Sequence, residues 1–547
     1  MSRSTTSSSG RRLRNPGTIS RRRLAVTGIA VAALALRLWG INFGLPAIYR
    51  PDEDVVVGRA MGALHGFLDP HFANWPHLYM YVSAAWLAAL RPLYPLLGPA
   101  APYLAVRLLD AVLGSATVLL LYRFGRRAYG EPAGLVGALF LAIAFLAVRD
   151  SHFATIDIPL TFACVAGLNA AIALAEADGA RYRVIGGVLV GLAAGVKYNG
   201  ALLLPSLVVA QAMHRRSPWR VTVRLGAIGL LAVVVFLSTS PFLLVDIRAF
   251  ATGIGYIFHH LSSASQPEIG YLHIPRVALW YGLDPPLFLL SLTGTAYALF
   301  RRTRADLILL SFVLAYYALL GAGFSVFVRY ADPLVPPLLL LGARALVDAS
   351  TRMTRPATSI AFALAITILP GLVHDLAFDH LIQQEDTRTQ AFDWLATHVP
   401  AGSRVADLYF AGPAHDQAMI DNRSQSHGAT DPYVASFLQN RLQNRYSVHD
   451  LSEADLGKDA LASLRADAVG YVVYSPVTPA GGCFAESPLL HALVTQTVFQ
   501  VGFSPTEGRC TDAVFDPIDG YYVPLSGYSG WRRPGPSIEI FALKPAR

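Results

Sequence analysis

RRRLAVTGIAVAALALRLWGINFGLPAIYRPDED, residues 21–54, decides how the chain is read. Three arginines precede a long apolar run, and the run gives way to Tyr49, Arg50 and the acids Asp52, Glu53 and Asp54. A bilayer core takes about 20 apolar residues per spanning helix, and cytoplasmic loops carry an excess of Arg and Lys. The stretch therefore reads as a basic cytoplasmic flank, a spanning helix and an acidic outer loop. A secretory signal is the competing reading. The run after Arg23 is longer than a usual signal core and has no clear small-x-small cleavage site, which favours a retained anchor.

The same grammar extends along the chain. Of its 547 residues 54% are hydrophobic and 15% charged, and the mean hydropathy is +0.43, which places it among polytopic α-helical membrane proteins. Eleven crossings fit, near 24–41, 103–122, 131–149, 158–176, 183–197, 199–214, 223–244, 279–300, 306–324, 331–348 and 357–377. Arginine clusters mark alternate loops, at Arg123, Arg126 and Arg127, at Arg181 and Arg183, at Arg215, Arg216, Arg220 and Arg224, at Arg301, Arg302 and Arg304, and at Arg352 and Arg355. This puts the N-terminus in the cytoplasm. The formal charge of +8 follows from these loops, and only three of the 44 basic residues are Lys. No helix-turn-helix, zinc-finger or RNA-binding pattern is present, so nucleic acid is not an expected partner.

Residues 77–97 are apolar, but counting them as a crossing would reverse every later loop. They read instead as interfacial helices, with Tyr79, Tyr81, Trp86 and Tyr94 at headgroup level, inside a long first outer loop, 42–102. The expected domains are a disordered basic cytoplasmic tail, 1–23, a transmembrane catalytic domain, 24–377, and an extracytoplasmic soluble α/β domain, 378–547. In the last, residues 385–399 read as a helix and 404–410, 468–474 and 538–543 as strands. Cys483 and Cys510 both fall in this domain, where an oxidising compartment permits a disulfide. Their pairing is not fixed by sequence.

Two acidic groups flank outer helix ends: Asp52, Glu53 and Asp54 after the first crossing, and Asp150 with Asp157 between the third and fourth. Charges beside lipid are expensive and mark substrate paths or catalysis. An outward-facing site has no access to ATP or nucleotide sugars, and the chain has no P-loop and no strand-linked GxGxxG. It needs an activated donor delivered by the membrane, and a sugar on a polyprenyl phosphate fits. Transfer then requires a carboxylate to take a proton from the acceptor hydroxyl and cations to stabilise the departing phosphate. Lys197 and Arg329 supply cations, and Tyr198 and Tyr330, which follow them, supply hydrogen-bond donors.

The segments YRPDEDVVVGRA (49–60), DPHFANWPHLYMY (69–81), RDSHFATIDIPLTF (149–162), GLAAGVKYNG (191–200) and FVRYADPLVP (327–336) occur in this order. Together they resemble the polyprenyl-phosphate-dependent glycosyltransferases of the C superfamily, in particular the bacterial family 39 type related to protein O-mannosyltransferases and aminoarabinose transferase. The resemblance implies the C-superfamily (GT-C) fold in a bacterial inner membrane and an inverting transfer to a glycan, lipid or protein acceptor. It also implies that Asp52 is the catalytic base, with Glu53 its acidic neighbour. Asp157 and His152 match the second-loop motif, and Lys197 and Arg329 lie in the phosphate-side segments. The common HPPL pattern is replaced here by Trp75, Pro76, His77 and Leu78, so a role for His77 does not carry over.

Plain structural readings stand beside these. Asp157, ahead of Ile158 and Pro159, suits a helix N-terminus. Glu53 or Asp54 are alternative bases, or the acid run is a solvated loop. Lys197 and Arg329 suit headgroup contact, His152 suits an interface, and Arg107 and Asp110 suit an intrahelical pair. His259, His260 and Glu268 share an outer loop without fixed metal spacing. No cofactor is assigned, and a divalent metal stays open. The rival functions are a lipid-linked sugar flippase or transporter, and a noncatalytic assembly protein in which the membrane acids are dispensable.

Overall fold

The computed structural model describes residues 16–98, 100–214, 216–263, 268–408, 446–451, 460–475, 488–507, 513–519 and 521–543. Helix α1 (Pro16–Leu38) is followed by α2 (Glu53–Leu64), α3 (Leu78–Leu90) and α4 (Tyr94–Leu97), all ahead of the long α5 (Ala101–Tyr129). The expected tail ends sooner than position 23, because Pro16 opens the helix and Arg21, Arg22 and Arg23, good helix formers, extend it beyond the apolar run.

The expected crossing at 131–149 is two helices, α6 (Glu131–Ala142) and α7 (Phe145–Asp150), separated at Ile143 and Ala144. Helices α8 (Asp157–Glu176) and α9 (Ala180–Val196) follow, then a 3-10 turn, Tyr198–Leu203, leading into α10 (Leu204–Ala212). Next come α11 (Pro218–Thr239), α12 (Phe242–Val245), α13 (Ile247–Ser262), α14 (Gly270–His273), α15 (Trp280–Gly282), α16 (Pro285–Arg301) and α17 (Arg304–Gly321). Asp246 caps α13 through the Ala249 N–H, and Thr303 with Asp306 forms a capping box on α17. A second 3-10 stretch, Val328–Leu334, precedes α18 (Val335–Ser350), and α19 (Pro356–Ile382) ends the helical region.

Helical segments lie along the eleven expected crossings, two of them at 131–149 and two at 279–300. Six stretches among the described residues are long and apolar enough by themselves to cross a membrane: Ala101–Tyr129, Asp157–Glu176, Pro218–Thr239, Arg304–Gly321, Val328–Ser350 and Ala357–His398. Helices at the other five positions are shorter, interrupted or more charged. Glycines set the closest crossings. A methyl on Gly294 of α16 would lie 2.3 Å from the Gly342 nitrogen of α18, and one on Gly191 of α9 would lie 2.6 Å from the Ala232 carbonyl of α11. Small residues at such points let membrane helices approach closely.

Beyond α19, α20 (Thr387–His398), α21 (Ala460–Ala466) and α22 (Pro488–Gln496) pack on a sheet of β1 (Arg404–Leu408), β2 (Ser447–Leu451), β3 (Tyr471–Tyr474), β4 (Val498–Phe503) and β5 (Ile538–Ala542). The order is β2-β1-β3-β5-β4, with β2, β1 and β3 parallel and β5 antiparallel to both β3 and β4. Ala391 and Leu395 of α20 cover one face with Val405, Val473 and Ile540, while Leu464 of α21 and Leu493 of α22 cover the other with Val472 and Phe541. The connection into β5 does something different. Its Tyr521, Val523 and Leu525 are buried in the core of the helical region rather than in that of the sheet, which brings a distant part of the chain to the acidic helix ends. Cys483 and Cys510 lie outside the described residues; Cys164 is a buried free thiol in α8.

Candidate active site

Three irregular points in the backbone gather the charged side chains. Asp52 precedes α2 with φ 72°, in the left-handed region, which costs a non-glycine residue about 1 kcal/mol or more and persists where surrounding contacts impose it. Lys197 ends α9 in an extended conformation, and Arg329 lies in the 3-10 stretch before α18. A continuous helix would have carried each of these side chains along its own surface. The breaks aim them at one another.

Arg329 is the hub. Its Nη2 donates to Asp52 Oδ2 at 2.7 Å, its Nη1 to Asp519 Oδ1 at 2.9 Å, and its Nε lies 3.4 Å from Asp157 Oδ2. The other oxygen of Asp157 accepts from Lys197 Nζ at 2.7 Å, and that ammonium lies 3.7 Å from the centre of the Tyr330 ring. The guanidinium side chain is 4% exposed and that of Asp157 2%, whereas Asp52 keeps 36% of its side chain open. The cluster is thus most open at Asp52, where a reactant can enter, with Lys197 15% exposed beside it. Dense protein around Asp52 disfavours its charged form and raises its pKa, against the opposing pull of Arg329 and Arg50; Asp54 and Asp519 add to the rise.

A second layer surrounds the hub. Asp519 also binds Arg50, and Arg149 lies 3.4 Å from its other oxygen and 2.8 Å from Asp150. Burial pushes Asp519 up, but the Arg50, Arg329 and Arg149 guanidiniums overcome it and hold the carboxyl below the usual range. Arg50 and Arg149 stand over the ring of Tyr521 at 4.5 and 5.1 Å. Asp519, Asp516 and Tyr521 had not been expected here. The acid-and-aromatic run FDPIDGYY, 515–522, was the available signal, but nothing local shows that it leaves the sheet domain.

Other expected residues have different occupations. Glu53 is fully buried, held bidentately by Arg107 at 2.7 and 2.6 Å, and accepts the Ala154 N–H at 2.8 Å. It fastens α2 to α5 and to the loop before α8, so its oxygens are taken. The intrahelical Arg107–Asp110 pair is not formed: Asp110 accepts from the Tyr79 hydroxyl and, at 2.9 Å, from the Thr155 N–H. Long-range partners displaced the local one. His152 is buried with its ring nitrogens 2.9 Å from the Val148 and Trp39 carbonyls, and burial pushes it down to about 4. It packs α7 against α1 rather than reaching the cluster. The Tyr198 hydroxyl donates to the Ala73 carbonyl at 3.0 Å. Asp54 is half-buried on α2. His260 stacks on Phe327, Glu268 pairs with Arg276, and among the described residues no group of three or more His, Cys, Asp or Glu is arranged to hold a metal ion.

With this geometry in view, comparison with known proteins is informative. The family described as dolichyl-phosphate-mannose-protein mannosyltransferase matches residues 84–244. An undecaprenyl phosphate-alpha-4-amino-4-deoxy-L-arabinose arabinosyl transferase of Pseudomonas aeruginosa is 28% identical over 346 residues, 58% of this chain and 59% of that protein. Over part of its length this chain is similar to these glycosyltransferases. The corresponding enzyme of a second P. aeruginosa strain is 29% identical over 217 residues, 37% of this chain and 38% of its own. The chain thus spans about three fifths or less of the length of these curated relatives. The oligosaccharyltransferase of Archaeoglobus fulgidus, tethered with an acceptor peptide, shares the fold at 14% identity and a TM-score of 0.50, over 83% of this chain and 69% of that one. ArnT from Cupriavidus metallidurans bound to undecaprenyl phosphate aligns over 97% of this chain and 100% of its own, at 15% identity and a TM-score of 0.48.

Proposed function

We propose that this multi-pass membrane protein is a glycosyltransferase that moves a sugar from a polyprenyl-phosphate donor to an acceptor hydroxyl on the extracytoplasmic face of the bacterial cell membrane, with inversion. The observation that carries this reading is the bridge in which Arg329 joins Asp52 to Asp157 while Lys197 holds the far oxygen of Asp157. It places a partly open carboxylate beside a buried guanidinium and a largely covered ammonium.

Asp52 accepts the proton of the acceptor hydroxyl as that oxygen attacks the anomeric carbon. The bond from that carbon to the phosphate oxygen breaks, and the phosphate departs with the electron pair. Lys197 and Arg329 stabilise the charge growing on it, as charge-assisted bonds in a water-poor site are strong. Asp157 keeps both cations in place before the donor arrives. The relatives named as undecaprenyl-phosphate aminoarabinose transferases support a lipid-phosphate donor. In this reading α1 begins in the cytoplasm and the sheet domain, outside the membrane, borders the acceptor side.

The test is release of polyprenyl phosphate from a lipid-linked sugar by the purified protein, with a new glycosidic product. Asp52→Asn is expected to lower the rate by about 10²- to 10⁴-fold, the usual worth of a general base, with the protein still folded. Full-rate transfer by that variant would remove Asp52 from its role. Movement of the lipid-linked sugar across vesicles without a new glycosidic bond would mark a flippase instead.

A further inference from the structure

The connection into β5 reaches the hub at two points. Asp516 Oδ2 accepts the backbone N–H of Val328 at 2.8 Å, and Asp519 Oδ1 accepts from Nη1 of the next residue, Arg329, at 2.9 Å. One carboxylate fixes the backbone at the start of the 3-10 stretch, and the other fixes the head of the side chain it carries. Both acids are almost fully buried. Asp519 is itself held by Arg50 and lies near Arg149, so its position does not depend on Arg329 alone. Tyr521, Val523 and Leu525 pack the same connection into the helical core, and the Tyr521 carbonyl accepts from Arg388 Nη2 at 3.0 Å.

A guanidinium has five N–H donors in a rigid plane. Fixing Nη1 through Asp519 leaves the remaining edges, Nη2 and Nε, with a single direction, and that direction is toward Asp52 and Asp157. An arginine on a membrane helix would otherwise sample many rotamers, at an entropic cost paid on each binding event.

We propose that Asp519, assisted by Asp516, is a positioning residue: the C-terminal part of the chain clamps Arg329 and thereby sets the phosphate-binding edge of the site. The proposal rests on the glycosyltransferase reading for its consequence, though not for its geometry. The charge of Asp519 is spent on orientation, and Asp519 need touch neither donor nor acceptor. The connection into β5 is then part of the donor site rather than an accessory to it.

Two measurements on the full-length protein in detergent test this, both on the monodisperse fraction. The first is binding of undecaprenyl phosphate. The second is labelling of Arg329 by an arginine-specific dicarbonyl, read by mass spectrometry. In Asp519→Asn, lipid-phosphate affinity is expected to fall by about tenfold or more, as one charge-assisted bond is lost, and Arg329, protected in the parent, becomes reactive. Asp519→Glu keeps the charge but misplaces it, and Asp516→Asn keeps Asp519 but weakens the backbone hold; each is expected to show a smaller change in the same direction. Parent-like affinity and parent-like protection of Arg329 in folded Asp519→Asn would overturn the clamp. Should that variant fail to fold, parent-like behaviour of both Asp519→Glu and Asp516→Asn would overturn it equally. A parent protein that binds no lipid phosphate would sink the transferase reading instead, and the labelling of Arg329 would still decide whether the clamp exists.

Discussion

Helix α8 carries an acid–arginine cluster at each end, about 30 Å apart for a helix of its length. At its first turn Asp157 shares Arg329 with Asp52 and Asp519, and all but Asp52 are shut away from water. Two residues beyond its last turn Asp178 takes Arg183 at 2.7 Å, Arg216 at 3.1 Å and Arg224. Those arginines are 19%, 43% and 25% exposed. The residue types are the same but the stoichiometry is inverted. One end gathers three carboxylates from distant parts of the chain around one buried guanidinium. The other gathers Arg183 of α9, Arg224 of α11 and Arg216 of the loop before α11 around one carboxylate, within reach of solvent. Burying charges costs several kcal/mol per ion and is seldom the cheapest way to hold helices together, whereas a wetted pair is a modest tether. The dry end is therefore the one whose charges call for a functional explanation.

The sharpest way to break this contrast is to replace the hub. Arg329→Lys keeps a positive charge but has no planar fork to span three carboxylates. Transfer is expected to fall by about 10²- to 10³-fold, comparable to losing one preorganised donor at a developing charge. Stability should drop by about 3 to 5 kcal/mol, because buried carboxylates are left short of partners. Steady-state transfer and thermal unfolding measure the two losses. A lysine variant with parent-like rate would mean that Arg329 is only a fastener, like the arginines at the far end.

Glu53→Gln tests whether every acid at the dry end is chemical. Arg107 and the Ala154 N–H occupy its oxygens, so the expected result is a loss of about 3 kcal/mol from a broken buried pair, seen in the unfolding midpoint. The pH profile of the remaining transfer should keep its shape, since the proposed base, Asp52, is unchanged. A displaced acid limb in this variant would bring Glu53 into the proton transfer.

The pH profile of the parent is the third test. As the proposed base Asp52 would work deprotonated, and the protein around it raises its pKa, with Arg329 and Arg50 opposing. Activity should therefore rise with pH and fall as pH drops through a value above the ordinary aspartate range of about 4. An acid limb at or below that range, measured on kcat over KM for the donor, would contradict the raised pKa of Asp52.

Much of this contrast was legible in the sequence. Apolar length located the helical segments, six of which among the described residues are long and apolar enough to cross a membrane, because that signal survives averaging over a window. One interruption did not show: Ile143 and Ala144 are as apolar as their neighbours, whereas the breaks that direct Lys197 and Arg329 fall at expected crossing ends, between 197 and 199 and between 324 and 331. Among site residues, Asp52, Asp157, Lys197 and Arg329 are brought together as a boundary charge beside lipid leads one to expect. Arg107 and Asp110 show the limit of local rules: a three-residue spacing suggested a pair, and Glu53, Tyr79 and Thr155 arrive from elsewhere to claim them. Asp519 was illegible for the same reason, since its partners Arg50, Arg149 and Arg329 all belong to the helical region and no pattern around residue 519 points there.

The smallest expected effect belongs to the wet end. Burial slightly opposes ionisation of Asp178, but hydrogen bonds from Arg224, Gln211 and Arg216 overcome it and bring its pKa down to about 2. A carboxyl depressed in the folded state contributes stability above its unfolded value and loses it as pH falls through the folded one, so this tether is complete at neutral pH and weakens only in strong acid. Because the arginines remain partly solvated, Asp178→Asn should cost no more than about 1 kcal/mol, and added salt at a level that shortens the screening length to about 3 Å should shrink the difference further. Transfer should be untouched, since the helix end that holds Asp157 is set by Lys197 and Arg329. A loss of transfer in Asp178→Asn as large as that in Arg329→Lys would show that the two ends of α8 are energetically one device, and the division between a chemical end and a fastening end would fall.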